Sequence, residues 1–208
     1  MPDRLKGLYA ITPDTEDSAR LLSLAQAAAP HIDILQYRNK SEDAVLRLEQ
    51  AQALAELCRR KGVVFIVNDD VELAARVGAD GVHLGRDDAA LSAARRRLGA
   101  GALIGASCYD SLERARRAAE AGASYLAFGA VFPSGTKPDA ARAGLGLFSE
   151  ARSLGAPLVA IGGIHAGNAG QALAAGADAI AVIGGVFGAA DPAAAAGELA
   201  AICRRGGR

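Results

Sequence analysis

The chain has 208 residues, 51% of them hydrophobic, and its 23 basic and 23 acidic side chains cancel. That length suits one good core and is short for two independent domains, so a single domain over 1–208 is expected. A neutral chain lacks the broad field that draws nucleic acid or an anionic membrane, and this apolar content excludes a disordered one.

Short β-branched runs alternate with Ala/Leu/Arg-rich helical runs. GLYAIT (7–12) reads as the first strand, and Leu21, Leu24, Ala25 and Ala28 then share one helical face. IDILQYR (32–38) is the second strand, and it runs into Asn39-Lys40. Side chains alternate in an extended segment, so Gln36, Arg38 and Lys40 share a side while Tyr37 and Asn39 point away. Arginine offers a planar donor fork and lysine a point charge, both suited to phosphate oxygens. The plainer reading is a solvated strand end with ion pairs to Glu42 or Asp43. Val45, Leu48, Ala51 and Ala55 give the next helix an apolar face.

VVFIVND (63–69) ends in Asn68-Asp69-Asp70, where Asp70 suits a helix N-cap and Asn68 and Asp69 are left over. GVHLG (81–85) leads into Arg86-Asp87-Asp88, where again one acid can cap and one is spare. Two spare carboxylates on adjacent strand ends suit magnesium, which takes one or two carboxylates and bridges substrate phosphates. LIGAS (103–107) ends in Ser107. YLAFGAVF (125–132) runs into Pro133-Ser134-Gly135-Thr136-Lys137, an anion-binding loop or an ordinary Pro/Gly loop. PLVAIGG (157–163) ends in Gly162-Gly163, with the polar stretch His165 to Asn168 opening a helix behind it. AIAVIGGVF (179–187) contains Gly184-Gly185. Glycines after the seventh and eighth strands of a barrel commonly hold phosphate through backbone N–H groups. His83, inside a strand, reads as a satisfied inward polar group, His165 as a surface residue, and His31 as structural at the opposite end.

Gly78-Ala79-Asp80, Gly122-Ala123-Ser124 and Gly176-Ala177-Asp178 each close a helix and open a strand, at intervals of two βα units. Eight such units without a break predict an α/β fold, a (β/α)₈ TIM barrel, with an open doubly wound sheet as the alternative. Gly144-Leu145-Gly146 is no dinucleotide fingerprint, because it lacks the third glycine and follows no strand. The uncharged stretch 154–177 is too broken by Pro157 and polar residues to span a membrane. Cys58, Cys108 and Cys203 are odd in number and far apart, and the N-terminus has no apolar h-region, so a reducing, cytoplasmic setting is expected.

Taken in order, QYRNK, NDD, the His83-Leu84-Gly85 to Asp88 motif, Gly105 to Ser107, Thr136-Lys137 and Gly162-Gly163-Ile164 resemble the thiamine-phosphate synthase (thiamine phosphate pyrophosphorylase) family. The resemblance runs from Leu8 to about Phe187. It implies a (β/α)₈ barrel that joins a hydroxymethylpyrimidine diphosphate to a hydroxyethylthiazole phosphate, releasing pyrophosphate. By that resemblance Gln36, Arg38, Lys40 and Asn68 would bind the pyrimidine diphosphate and Lys137 its pyrophosphate, with Arg38, Lys40 and Lys137 as the catalytic cations. Asp69 and Asp88 would hold Mg²⁺, and Ser107 would meet the pyrimidine. Ser134 and Thr136 would line the thiazole phosphate site with the backbone of Gly163, Ile183 and Gly184. The family usually has Gln at Arg86, and often Pro at Ala130, Thr at Ser134, Ser at Gly184, and a His soon after Ser107 where this chain has Cys108-Tyr109-Asp110. A related thiazole tautomerase places a His where Ala130 stands. A barrel that only binds thiamine precursors is the other reading. Members of the family are often dimers or similar assemblies, so a homo-oligomer is compatible with the resemblance.

Overall fold

A computed structural model describes residues 5–85, 88–133 and 142–206. Eight parallel strands close a barrel in chain order. They are β1 (Gly7–Ile11), β2 (Ile34–Tyr37), β3 (Val64–Asn68), β4 (Gly81–Leu84), β5 (Leu103–Tyr109), β6 (Tyr125–Gly129), β7 (Leu158–Ile161) and β8 (Ala179–Val182). Closure pairs Gly7 with Ala179 and Tyr9 with Ala181. Around the barrel lie α1 (Ser18–Ala28), α2 (Ala44–Lys61), α3 (Val71–Val77), α4 (Asp88–Leu98), α5 (Leu112–Glu120), α6 (Gly146–Ala151), α7 (Ala169–Ala174), α8 (Gly184–Phe187) and α9 (Pro192–Gly206). Among the described residues, no helix is long and apolar enough to cross a membrane.

The period-2 alternation of each strand sorts its side chains between two cores. Leu8, Ala10, Leu35, Phe65 and Val67 face outward into a large core shared with the helices. Tyr9, Ile11, Ile34, Val64, Ile66 and Tyr125 face inward and fill the barrel. The three thiols are buried, and burial pushes Cys58 and Cys203 up to about 12, so both stay protonated.

The repeat of helix-closing triplets has a structural meaning. Gly78, Gly122 and Gly176 all carry positive φ, ending α3, α5 and α7 in left-handed turns. The third residue of each triplet then clasps the start of the preceding strand. Asp80 accepts from the N–H of Phe65 at 2.9 Å, Ser124 from Ile104 at 3.0 Å, and Asp178 from Leu158 at 2.7 Å. Asp33, just before β2, does the same for Leu8 at 2.8 Å. Each even-numbered strand is thus preceded by an acceptor that fixes its odd-numbered neighbour at the end of the barrel away from the strand C-termini. Asp178→Ala strips an acceptor from the part-buried Leu158 N–H and a partner from Arg152. A loss of about 2 kcal/mol is expected, read as a lower urea midpoint.

Four expectations are corrected. The strand predicted over 179–187 stops at Val182, and Gly184–Phe187 is a helical turn with Val186 and Phe187 buried. A short apolar run cannot distinguish a strand from a buried turn by periodicity. The helix behind Gly162-Gly163 begins only at Ala169, after the turns of 165–168. Val45 is 66% exposed, since at ~100° per residue it lies roughly a quarter-turn off the mean direction of Leu48, Ala51 and Ala55. Arg38 pairs with neither Glu42 nor Asp43; Asp43 instead caps α2 through the N–H groups of Val45 and Leu46.

Candidate active site

The predicted polar residues gather at the C-terminal ends of the strands, where (β/α)₈ barrels carry their sites. At β2 the alternation holds. Gln36 is buried inside the barrel, and its Nε2 donates to the Tyr9 hydroxyl at 2.7 Å. Tyr37 and Asn39 face outward, and both donate to Oε1 of Gln50 on α2 at 2.9 Å.

The segment after β2 is shaped by two residues that sequence reasoning passed over. The Thr12 hydroxyl donates to the Arg38 carbonyl at 3.0 Å and accepts from the Arg38 N–H at 2.9 Å. Asp14 accepts from Arg38 Nη1 at 2.6 Å and from the Lys40 N–H at 3.0 Å. One carboxylate therefore orients the guanidinium and fixes the backbone of the exposed Lys40. The signal was present in Ile11-Thr12-Pro13-Asp14, a polar cluster closing the first strand, but nothing local links it to residues 24 to 26 positions away.

At β3, Asp70 caps α3 through the Leu73 N–H, as predicted. Asp69 does something different. It sits at φ 59°, in the left-handed region that Asp and Asn tolerate better than most residues. Its side chain is exposed, with Oδ2 accepting from Asn68 Nδ2 at 2.7 Å, and its N–H donates to the His83 carbonyl at 2.8 Å. A cation can still meet the open lone pairs of such a carboxylate. Among the described residues there is no cluster of three metal-ligating side chains. Magnesium does not require one, because it completes its shell with waters and substrate phosphates. Asp69 fits that ion. Asp88 opens α4, but its side chain lies outside the described residues, as do Arg86 and the predicted ligands Ser134, Thr136 and Lys137.

Inside the barrel, a continuous polar chain crosses from β2 to β5. Beyond Gln36, the Tyr9 and Tyr125 hydroxyls are 2.8 Å apart, Tyr125 lies 3.1 Å from His83 Nδ1, and His83 Nε2 lies 2.8 Å from Ser107 Oγ. His83 also stacks on Tyr125, with ring centroids 5.6 Å apart. Gly105 makes room for that ring, because a Cβ there would stand 2.1 Å from Tyr125 Cζ. Burial holds both phenols above their ordinary range and pushes the His83 imidazole down to about 4. The imidazole is surrounded by protein atoms, and the ring is neutral at pH 7.

The sign for stability follows from that depression. An unfolded His83 binds a proton below about pH 6.5 while the folded one does not, so stability falls as pH drops from 6.5 towards 4. By pH 5 the wild type is expected to have lost about 2 kcal/mol relative to His83→Gln, read from urea midpoints of the two proteins at pH 7 and pH 5.

At β7 and β8 the two glycine pairs part company. A Cβ on Gly163 would stand 2.3 Å from the Pro133 carbonyl oxygen, and one on Gly162 would stand 2.6 Å from Ala130 Cα. Both also carry positive φ. Close packing against the segment after β6 is thus one reason for this pair. Gly184 faces open space and starts α8, whose first N–H groups have no intrahelical partner.

The thiamine monophosphate synthase family model matches residues 8–186. This chain belongs to that family. It is 68% identical over 201 residues to a thiamine-phosphate synthase of Chromobacterium violaceum, covering 96% of this chain and 97% of the relative. It is 57% identical over 190 residues to one of Xanthomonas campestris pv. campestris, covering 91% and 92%. Among solved structures, thiamine phosphate pyrophosphorylase from Pyrococcus furiosus superposes with a TM-score of 0.86 at 36% identity, covering 99% of this chain and 98% of that one. The transferase role in thiamine biosynthesis and the TIM barrel both stand as expected from the sequence.

Proposed function

We propose that this chain is a thiamine-phosphate synthase that joins 4-amino-2-methyl-5-(diphosphooxymethyl)pyrimidine to 4-methyl-5-(2-phosphooxyethyl)thiazole, with release of pyrophosphate. The observation that carries the reading is the strand-end geometry within a family match over residues 8–186. Arg38 is held by Asp14, Lys40 is exposed beside it, the Asp69 carboxylate is open, and Ser107 is fixed by His83, all around one barrel mouth.

In this mechanism the methylene–oxygen bond of the pyrimidine diphosphate breaks and its electron pair leaves with pyrophosphate. The amino group of the ring stabilises the methylene cation. The thiazole nitrogen then donates its lone pair to form the new C–N bond, and no protein nucleophile is needed. Arg38, Lys40 and Lys137 meet the negative charge that grows on the leaving group, which is the charge that electrostatic catalysis must stabilise. Gln36, Asn68 and Ser107 orient the pyrimidine. Ser134, Thr136 and the backbone at Gly163, Ile183 and Gly184 hold the thiazole phosphate. Asp69 and Asp88 would hold Mg²⁺, which when bound supplies further neutralisation of pyrophosphate charge. Orientation of two substrates in one pocket supplies much of the remaining acceleration.

Full-length protein with both substrates and magnesium should yield thiamine phosphate and pyrophosphate in equal amounts. Binding of both substrates without turnover would instead support a barrel that only holds thiamine precursors. The tautomerase reading has no support in the strand-6 segment, where Ala130 offers no titratable group.

A further inference from the structure

We propose that the buried chain Gln36–Tyr9–Tyr125–His83–Ser107 is a directional hydrogen-bond relay, and that His83, as the Nε2–H tautomer, is a positioning residue that makes Ser107 a hydrogen-bond donor at the mouth. This rests on the synthase reading only for the identity of the group that Ser107 meets.

The polarity follows from counting protons. Gln36 Nε2 donates to the Tyr9 oxygen. Among the described residues the Tyr9 proton then has one remaining neighbour, the Tyr125 oxygen at 2.8 Å. Tyr125 in turn directs its proton to His83 Nδ1 at 3.1 Å, which must be the bare nitrogen. Nε2 therefore carries the imidazole proton and donates to Ser107 Oγ at 2.8 Å. With its oxygen engaged, Ser107 turns its own proton away from His83, towards the open end of the barrel. The opposite polarity would set the Gln36 donor and a Tyr125 donor against the same Tyr9 oxygen. With Nε2 of Gln36 turned to Tyr9, as it is here, it would also leave the Tyr9 proton buried without an acceptor, a cost on the order of 1–3 kcal/mol, and relieving that cost would require the amide to turn its Oε1 to Tyr9 instead.

The chain has one further consequence. Gln36 and Ser107 stand on β2 and β5, three strands apart, yet the amide of one sets the proton on the other. The relay is also fitted sterically, since Gly105 lies within the volume that any larger residue would share with the Tyr125 ring. Its four links, each of 3.1 Å or less, make it a rigid element, which is what a positioning role requires.

The test uses the full chain with ring-¹⁵N-labelled histidine at neutral pH, with the His83 signals assigned by their loss in His83→Gln. Expected is an unprotonated Nδ1 and a protonated Nε2; the reverse pattern overturns the proposal whether or not the protein turns over. Kinetics supply the second arm. Asn at position 83 keeps an acceptor for Tyr125 but is too short for Ser107, whereas Gln reaches the Nε2 position with a donor. His83→Asn is expected to lower kcat about 10- to 100-fold with KM changed less than about threefold, and His83→Gln to recover most of that loss. In a Ser107→Ala background, His83→Asn should have no further effect on kcat. Equal loss in both His83 variants, or full additivity with Ser107→Ala, would mean a merely structural histidine. Absence of turnover in the wild type would remove the synthase reading and leave the tautomer result standing.

Discussion

Asp69→Asn is expected to lower kcat/KM on the order of 10²- to 10³-fold while leaving folding stability within about 0.5 kcal/mol. The substitution is chosen from the backbone. Asp69 occupies φ 59°, where a residue without a short polar side chain costs about 1–2 kcal/mol. Asn tolerates that region and keeps the shape of the side chain, so only the charge is removed. Asp69→Ala should lose a similar amount of activity and about 1 kcal/mol of stability as well. The deficit of Asp69→Asn should shrink as magnesium is raised, because the weakened site is then filled by mass action. Magnesium titrations of initial rate, with urea melts of the same preparations, read both effects. Normal turnover by Asp69→Asn at all magnesium concentrations would remove Asp69 from the proposed magnesium site.

Gly105→Ala has the largest expected effect on the fold. Its new Cβ would stand 2.1 Å from Cζ and 2.4 Å from the hydroxyl oxygen of Tyr125, a ring fully buried at the centre of the barrel. Neither β5 nor the ring can yield cheaply, because the ring is held by Tyr9 and His83 and packs edge-on to Tyr9 at 6.1 Å. A loss of about 3 kcal/mol is expected, read as a lower urea midpoint at unchanged slope. Tyr125→Leu lacks the clashing atoms. In that background the added methyl should cost little, giving a coupling energy near the whole single-variant loss. Additive losses in the double variant would show that Gly105 is needed for its backbone alone. Activity should also fall in Gly105→Ala, because displacement of Tyr125 breaks the chain to Ser107.

Much of the architecture was legible because the relevant signals are local. Val64-Phe65-Ile66-Val67 and Leu158-Val159-Ala160-Ile161 are short apolar runs rich in β-branched residues that suit doubly covered strands, and Gly78, Gly122 and Gly176 mark helix ends that separate such runs. Strand ends were less well placed. The Tyr109 end of β5 and the turn at Gly184–Phe187 depend on what their neighbours pair with and cover, which no window of sequence contains. The direction of QYRNK was also readable, since alternation alone puts Gln36 and Tyr37 on opposite faces.

The candidate site divides along the same line. Residue types, their order and the family they match were set by the sequence, because a barrel delivers every strand end to one rim and chemistry-bearing residues there stand out against apolar strands. Tertiary structure alone decided their partners. Asp14 reached Arg38 across the β1–β2 boundary, His83 met Ser107, and Tyr9 met Tyr125 across the barrel although 116 residues separate them in the chain. The first two contacts join neighbouring strands, whereas the third arises from closure of the sheet, which brings inward-facing side chains of distant strands within hydrogen-bond reach. A linear pattern records which face a residue takes, but not which other strand it will find there.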